Sequence, residues 1–193
     1  ADGPAGNLGI LVGNAIGGIA VFNDAIRDGL KGSVFDVKAQ GYINGSAKTT
    51  FNKVLFGIRG GQGIGQGWAV ENDMVINYMS AHDNNTLWDK LLLSNPDNTD
   101  DERNEMNNLG AAIIMISNGT PFWQAGEEML RTKPKASGGF DENSYSSSDA
   151  TNSLKWNILS TEEYQKVFEY YKGLIAFRKE HAALRMTNAE DVK

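Results

Sequence analysis

The sequence predicts an α/β fold in which short parallel strands alternate with helices. Three β-prone runs, at residues 19–22, 75–79 and 122–125, are each followed by a segment that carries helix signals. Such alternation is typical of a parallel sheet whose strands are joined by crossover helices. The polar pair His82 and Asp83 follows the second run, at the position where α/β proteins place functional groups.

The first strand–helix unit has clear start and stop signals. Asn23 or Asp24 is expected to cap a helix over residues 25–31, and Gly32 is in the position favoured for a helix end. Residues 33–67 are glycine-dense and predict an irregular surface excursion. Their glycines match neither a dinucleotide-binding fingerprint nor a phosphate-binding loop, so we expect no cofactor there.

Two capping-box patterns predict longer helices. Thr99 with Glu102 begins the first, and Ser160 with Glu163 begins the second, which extends to about His181. Apolar residues recur at helical spacing in both. The expected buried faces are Met106, Leu109, Ile113 and Ile116 in the first helix, and Tyr164, Val167, Phe168, Tyr171, Leu174 and Ile175 in the second. The polar segment between them, residues 133–157, is of the length that is usually functional or disordered.

Composition excludes several classes of protein. The 193 residues carry a net charge of −6, which argues against a nucleic-acid binder with a basic surface. The chain has no cysteine, so disulfides and thiolate metal sites are excluded, and its two histidines suggest no metal centre. No apolar run approaches the ~18–20 residues that span a bilayer. Residues 1–18 predict a loop without the basic start of a signal peptide, so no compartment is assigned.

The pair His82–Asp83 has both a functional and a structural interpretation. Adjacent side chains on an extended strand point to opposite faces, so a bend after Ala81 is needed to bring both into one pocket. In the structural alternative, Asp83, Asn84 or Asn85 caps the following helix, and His82 is a hydrogen-bonded core residue.

Four segments carry a resemblance in the same order along the chain. They are IAVFNDAIRDGLKGSVF (19–35), YMSAHDNNTLWDKL (78–91), TPFWQAGEEMLRTK (120–133) and NSYSSSDATNSLKW (143–156). These segments resemble motifs of the α-amylase-family glycoside hydrolases, and look most like the type I pullulanases, which debranch α-glucans. The second segment is similar to the motif that follows the seventh barrel strand of that family.

The resemblance implies a partial (β/α)8 TIM barrel. In that barrel the three strand–helix units would be the last three, about the sixth to the eighth. Three units cannot close the barrel, because a complete one takes ~250 residues. Residues 1–182 would then form the C-terminal part of a catalytic domain. Residues 183–193 would lead into a C-terminal β domain.

The resemblance also implies roles for individual residues. Retaining glycosidases need a nucleophile and a general acid, and the family's motifs for both are missing from this chain. Asp83 corresponds to the third carboxylate, which stabilises the transition state by holding hydroxyls of the distorted sugar. The isolated chain is therefore expected to be inactive. The expected substrate-binding residues are His82, Asn84, Trp88, Arg131, Asn143 and Tyr145, whereas Glu127 and Glu128 are expected to be structural.

The expected partners follow from the same resemblance. The substrate would be an α-glucan such as pullulan or the branches of starch or glycogen. The net charge and the lack of a long apolar run are the reasons why no nucleic acid or membrane is expected. Alternatives are another amylase-type hydrolase or a non-catalytic carbohydrate-binding fragment. An open three-stranded sheet leaves unpaired edges, so we expect association with the remainder of the domain or with a second copy. The residues expected to be partly exposed on the open face are Ile19, Val21, Ile76, Tyr78 and Phe122.

Overall fold

A three-stranded parallel sheet lies at the centre of the chain. The structure, a computed structural model, describes residues 18–62, 69 and 71–192. Strands β1 (Val21–Phe22), β2 (Val75–Tyr78) and β3 (Thr120–Phe122) pair in the order β1-β2-β3, and both pairings are parallel. This confirms the predicted parallel sheet, although β3 begins and ends earlier than expected. The loop expected over residues 1–17 lies outside the described residues.

Helices follow each strand. The α-helices are α1 (Asp24–Lys31), α2 (Ala47–Ile58), α3 (Leu87–Ser94), α4 (Asp100–Ile116), α5 (Asp149–Asn152) and α6 (Glu162–Glu180). Short 3-10 helices cover Tyr42–Asn44, Asn72–Met74, Glu127–Met129, Ser144–Ser146, Trp156–Ser160, Ala182–Arg185 and Ala189–Val192. Asn23 caps α1 by accepting a hydrogen bond from the backbone N–H of Ile26, as the sequence predicted.

A helix, α2, lies in the segment that was expected to be irregular. Phe51, Val54, Leu55 and Ile58 recur at the spacing of one helix face, and Val54 is buried in the core. The sequence analysis judged this segment by its glycine content and therefore missed the helical spacing of its apolar residues. The prediction for this part of residues 33–67 was therefore wrong.

The capping box of Thr99 and Glu102 is confirmed, but the one at Ser160 is wrong. Thr99 Oγ1 accepts from the Glu102 N–H at 3.2 Å, and Glu102 Oε2 accepts from the Thr99 N–H at 2.8 Å. Helix α6 instead has Thr161 at its N-cap position. The Ser160 hydroxyl donates to the Asn157 carbonyl at 2.8 Å, so the preceding 3-10 turn already uses it.

The buried face of α4 differs from the predicted one. Leu109 and Ile116 are 45% and 39% exposed, whereas Asn107 and Ala111 are fully buried. The polar Asn107 takes a core position because its Nδ2 donates to the Tyr171 hydroxyl of α6 at 3.1 Å. The predicted face of α6 is closer to the observed one, since Val167 and Tyr171 are both buried.

The sheet presents an aromatic cluster on its open face. Tyr78 contacts Phe22 and Phe122 with ring centroids 4.9 and 6.4 Å apart, in edge-to-face geometry. Val21 pairs with Val75, which is completely buried, so the side chain of Val21 lies on the same, helix-covered face of the sheet. Phe22, not Val21, therefore belongs to the open face, since a shift of one residue reverses the side of a strand.

Exposure on this open face also differs from the prediction. Phe22, Phe122 and Ile19 are 41%, 37% and 42% exposed, but Tyr78 is only 6% exposed. Its ring is covered by the two phenylalanines, and its hydroxyl donates to Asp24 Oδ1 at 2.6 Å.

The buried guanidinium of Arg178 joins α6 to the end of α4. It donates to the carbonyls of Met115, Ser117 and Gly119, each at 2.7 Å. These carbonyls lack partners within a helix because α4 ends there. The contact therefore sets where β3 begins relative to α6.

Helices α1 and α2 approach each other closely at Gly57, and this generates a stability prediction. A Cβ at Gly57 would lie 2.6 Å from the Cβ of Ile26, a rigid branched atom. Gly57→Ala is expected to lower the free energy of unfolding by about 1–3 kcal/mol in urea denaturation, because overpacking outweighs the better helix propensity of alanine. The control is Gly173→Ala in α6, where a Cβ meets nothing within 4 Å. It should raise stability by up to about 1 kcal/mol. A Gly57 variant as stable as the control would contradict this packing argument.

Candidate functional site

A polar cleft of about 200 Å³ lies beyond the carboxyl ends of β2 and β3. Its lining residues are His82, Asp83, Gln124, Arg131, Lys133, Asn143, Ser144, Tyr145 and Asn152. The polar groups that follow these strands thus meet in one cleft, at the edge of the sheet where α/β proteins place functional groups. The segment after β3, which was expected to be functional or disordered, forms ordered turns around this cleft.

His82 and Asp83 project into solvent at one wall of the cleft. Their side chains are 86% and 80% exposed, and His82 Nε2 lies 3.5 Å from Asp83 Oδ1. The helix cap is Thr86, whose hydroxyl accepts from the Asp89 N–H at 3.1 Å. Both structural alternatives are therefore wrong. The cap is Thr86 and not Asp83, Asn84 or Asn85, and the exposed His82 is not a core residue.

The backbone after β2 has the bend that this arrangement requires. Asn84 has φ +63°, a left-handed conformation that asparagine tolerates better than most residues. The chain thus turns away from the strand direction before α3 begins at Leu87. The chain is already bent over residues 82–85, and His82 and Asp83 line the same cleft although they are adjacent in sequence.

The structure brings together most of the predicted site residues. His82, Asp83, Arg131, Asn143 and Tyr145 all line the cleft, and Tyr145 is 85% exposed. The other two predicted residues do not line it. Asn84 lies in the bend, and Trp88 packs partly buried against the hydrophobic core. The roles of all seven in substrate binding or catalysis stay predictions.

A buried network lies beneath the cleft. Asp89 of α3 is completely buried and accepts hydrogen bonds from the Thr132 hydroxyl and, at 2.9 Å, from the Lys133 N–H. Burial raises the pKa of Asp89, while these hydrogen bonds act in the opposite direction. The network anchors the segment after β3 to the helix after β2.

The second wall of the cleft is held by backbone acceptors. Asn152 Nδ2 donates to the carbonyl of Ser144 at 2.6 Å and to that of Ser147 at 3.1 Å. Arg131 donates to the carbonyls of Ala125, at 3.0 Å, and Asn152. The wall that carries Asn143 and Tyr145 is therefore tied to the end of β3.

Four lining residues escaped the sequence analysis, namely Gln124, Lys133, Ser144 and Asn152. Gln124 follows β3 at the carboxyl edge of the sheet, and a polar residue soon after a strand is a feature of the sequence that could have identified it as a site residue. The other three make side-chain hydrogen bonds that cross between loops, and a single sequence carries no signal for such contacts.

Glu127 and Glu128 are structural, as expected. Glu127 is 4% exposed and accepts hydrogen bonds from the hydroxyls of Ser80 and Tyr171, the latter at 3.2 Å. Burial raises the pKa of Glu127 to about 7, although Ser80 and the Lys31 ammonium act to lower it. Glu128 accepts from the Gly126 N–H at 2.9 Å. Neither residue lines the cleft.

A second ionic cluster lies at the start of α1. Arg27 contacts Asp28 at 2.7 Å and Asp24 at 3.1 Å, and it donates to the Tyr78 hydroxyl at 2.9 Å. Burial and the hydrogen bond to Asp24 raise the pKa of Tyr78. These contacts join α1 to β2, so Arg27 is structural.

Neither a metal-binding cluster nor a membrane-spanning helix is found in the described part of the chain. Within residues 18–62, 69 and 71–192, no three His, Cys, Asp or Glu residues are grouped to hold an ion. No helix in these ranges is both long and apolar enough to cross a bilayer.

Fold and site define an α/β protein with a polar cleft at the carboxyl edge of a parallel sheet, the arrangement in which many α/β enzymes hold their active sites. No protein-family model matches the chain. It is 37% identical over 182 residues to the pullulanase of Bacillus subtilis, covering 91% of this chain and 24% of that protein. The chain is thus homologous to the type I pullulanases, which are glycoside hydrolases.

Solved structures give the same result. The type I pullulanase of Bacillus subtilis in complex with maltose superposes with a TM-score of 0.87 and 35% identity, over 95% of this chain and 25% of that one. The Paenibacillus barengoltzii pullulanase in complex with maltohexaose and α-cyclodextrin gives 0.84 and 39%, over 92% and 27%. The chain therefore spans about a quarter of the length of these relatives.

The raised pKa of Glu127 predicts a pH dependence of stability. The Glu127 carboxyl binds its proton more tightly in the folded chain than in the unfolded chain, where its pKa is near the ordinary 4.5. Its stabilising contribution is complete below pH 4.5 and is lost as the pH rises to about 7. Between about pH 5 and about pH 7, wild type should lose about 2 kcal/mol of unfolding free energy relative to Glu127→Gln. Parallel urea titrations of the two proteins would test this, and identical pH profiles would contradict it.

Proposed function

We propose that the chain is part of the catalytic domain of an α-glucan-debranching glycoside hydrolase. In this proposal, residues 1–182 are the C-terminal part of a (β/α)8 barrel, and the three strand–helix units are about the sixth to the eighth. Residues 183–193 lead into a C-terminal β domain. Two observations support this assignment. The chain has three parallel strands with following helices, and it is homologous to a segment that makes up 24% of the length of the Bacillus subtilis pullulanase.

Asp83 is the proposed catalytic residue of this chain. Its exposed carboxylate in a cleft at the carboxyl edge of the sheet is the observation that carries the proposal. In a retaining mechanism, hydrogen bonds to ring hydroxyls become stronger as the sugar distorts toward an oxocarbenium ion. Asp83 would accept such bonds, and His82, 3.5 Å away, would donate one to the same sugar. The nucleophile and the general acid would come from other strands of the barrel.

The remaining residues of the cleft suit a sugar polymer. The exposed ring of Tyr145 offers an apolar face to a pyranose, and Arg131 and Asn143 offer hydrogen-bond donors beside it. Asn84 lies in the bend and Trp88 packs against the hydrophobic core, so a part for either in substrate binding stays a prediction. The proposed substrates are pullulan and the α-1,6 branches of starch or glycogen. In support, the related Paenibacillus barengoltzii pullulanase was solved with maltohexaose and α-cyclodextrin.

The proposal predicts how Asp83→Asn affects the full-length enzyme. We expect kcat on pullulan to fall by about a thousandfold or more with little change in KM, because the contact is made mainly in the transition state. Reducing-end assays would measure both constants, and the isolated chain should show no turnover. Glu142→Gln, which removes an exposed carboxylate beside Asn143, is the matched control and should be fully active.

Two outcomes would contradict the assignment of roles. One is a loss confined to KM, which would make Asp83 a ground-state binding residue only. The other is loss of folding, which the isolated chain can test separately. There, Thr86→Ala should cost about 1 kcal/mol of unfolding free energy as a lost cap, whereas Asp83→Asn should cost none.

The open face of the sheet predicts self-association of the isolated chain. Phe22 and Phe122 are exposed, and β1 and β3 are edge strands within the described residues. Burying their apolar surface stabilises a complex by roughly 25 cal/mol per Å². Light scattering at micromolar concentration should give a mass above 21.0 kDa.

Matched variants connect this association to the aromatic cluster. Phe22→Lys should reduce it, because a charge would be buried in the contact. Phe35→Lys should not, although Phe35 is even more exposed at 89%, because it lies in the loop after α1 rather than on the sheet. A monomeric wild type would show that the open face needs no cover.

A further inference from the structure

We infer that Lys133 is a positioning residue that holds the two walls of the cleft at a set separation. The first wall is the His82–Asp83 bend, and the second is the segment that carries Asn143 and Tyr145. The inference deepens the proposed function and rests on it for its meaning. Its geometry, however, is tested without any glucan.

The Lys133 ammonium lies between the walls and contacts both. Its Nζ donates to the Ser144 hydroxyl at 2.7 Å, and lies 3.4 Å from the His82 carbonyl oxygen, which accepts from it. The residue is 3% exposed, and Ser144 is equally buried. Neutral acceptors from two separate loops thus share one buried cation.

The backbone of Lys133 is fixed as firmly as its side chain. Its N–H donates to the buried carboxylate of Asp89 at 2.9 Å, and its carbonyl accepts from the Asp141 N–H at 2.7 Å. The lysine is therefore anchored to α3 below the cleft and to the turn that precedes Asn143. An anchored residue can transmit the position of the helix to both walls.

The contact leaves the functional groups free. Lys133 binds the carbonyl of His82, not its imidazole, so the imidazole and the Asp83 carboxylate remain exposed to a ligand. On the other wall it binds Ser144, while the neighbouring Asn143 and Tyr145 point into the cleft opening. This role of Lys133 depends on its hydrogen bonds and not on its volume. A methionine at position 133 has a similar length and would fill the same space, but it donates no hydrogen bond.

Hydrogen exchange of the 193-residue chain tests the positioning role. The reporter amides are Asp141, bonded to the Lys133 carbonyl, and Ser147, bonded to the Ser144 carbonyl. In Lys133→Met we expect their exchange to accelerate by about tenfold, with the amides of α4 unchanged. Unchanged reporters would overturn the inference, as would an equal acceleration in α4, which indicates global destabilisation.

Two further variants separate the ammonium from general effects. Lys135→Met removes an exposed lysine from the adjacent turn and should leave both reporters unchanged. Ser144→Ala removes only one acceptor and should accelerate exchange at Ser147 alone. If Lys133→Met does not fold, this variant decides the question, because an unchanged Ser147 amide would overturn the inference.

Kinetics of the full-length enzyme provide a readout that stability alone does not move. Lys133→Met should raise KM for pullulan by about tenfold, because both walls lose their alignment. Adding Ser144→Ala to it should cause little further loss, since the shared contact is already broken. Fully additive effects would contradict the bridge. A wild-type enzyme without activity on pullulan would count against the proposed function and leave the exchange result standing.

Discussion

The buried side-chain amide of Asn77 joins the three strand–helix units. It lies at the centre of β2 and is 1% exposed. Its Nδ2 donates to the carbonyls of Gly57 and Asn118, at 3.0 and 2.8 Å, and its Oδ1 accepts from Asn23 at 2.9 Å. One polar group thus connects the cap of α1, the end of α2 and the turn before β3. A buried amide is tolerated only when its partners are present, so these elements must assemble together.

The position of the candidate site follows from this assembly. Once the strands are in parallel register, their carboxyl ends open at one edge, and the loops after β2 and β3 meet there. The buried carboxylate of Asp89 and the ammonium of Lys133 then join those loops beneath the cleft. Exposed side chains that we propose to be functional, such as Asp83, therefore lie above a buried hydrogen-bond network, which is the kind of support that precise chemistry requires.

In contrast to the buried network beneath the cleft, one face of the sheet is incompletely covered in the described part of the chain. The helices bury one face, where Val75 is completely inaccessible, while Phe22 and Phe122 remain exposed on the other. Edge-to-face contacts with Tyr78 partly compensate for this exposure. Among the described residues, β1 and β3 are the edges of this sheet, and sheets with such edges normally gain stability from packing against further structure.

The sequence by itself determined the alternation of strands and helices, the cap of α4 at Thr99 and the resemblance that led to Asp83 and His82. These features are local, because a strand, a cap or a motif is written in neighbouring residues. Only the tertiary structure decided that Phe22 rather than Val21 faces the open side, that Asn107 is a core residue, and that Thr86 rather than Asp83 caps α3. It alone brought Lys133 between His82 and Ser144. Register, burial of polar groups and contacts between loops depend on partners distant in the chain, and their energies exist only once the strands have paired.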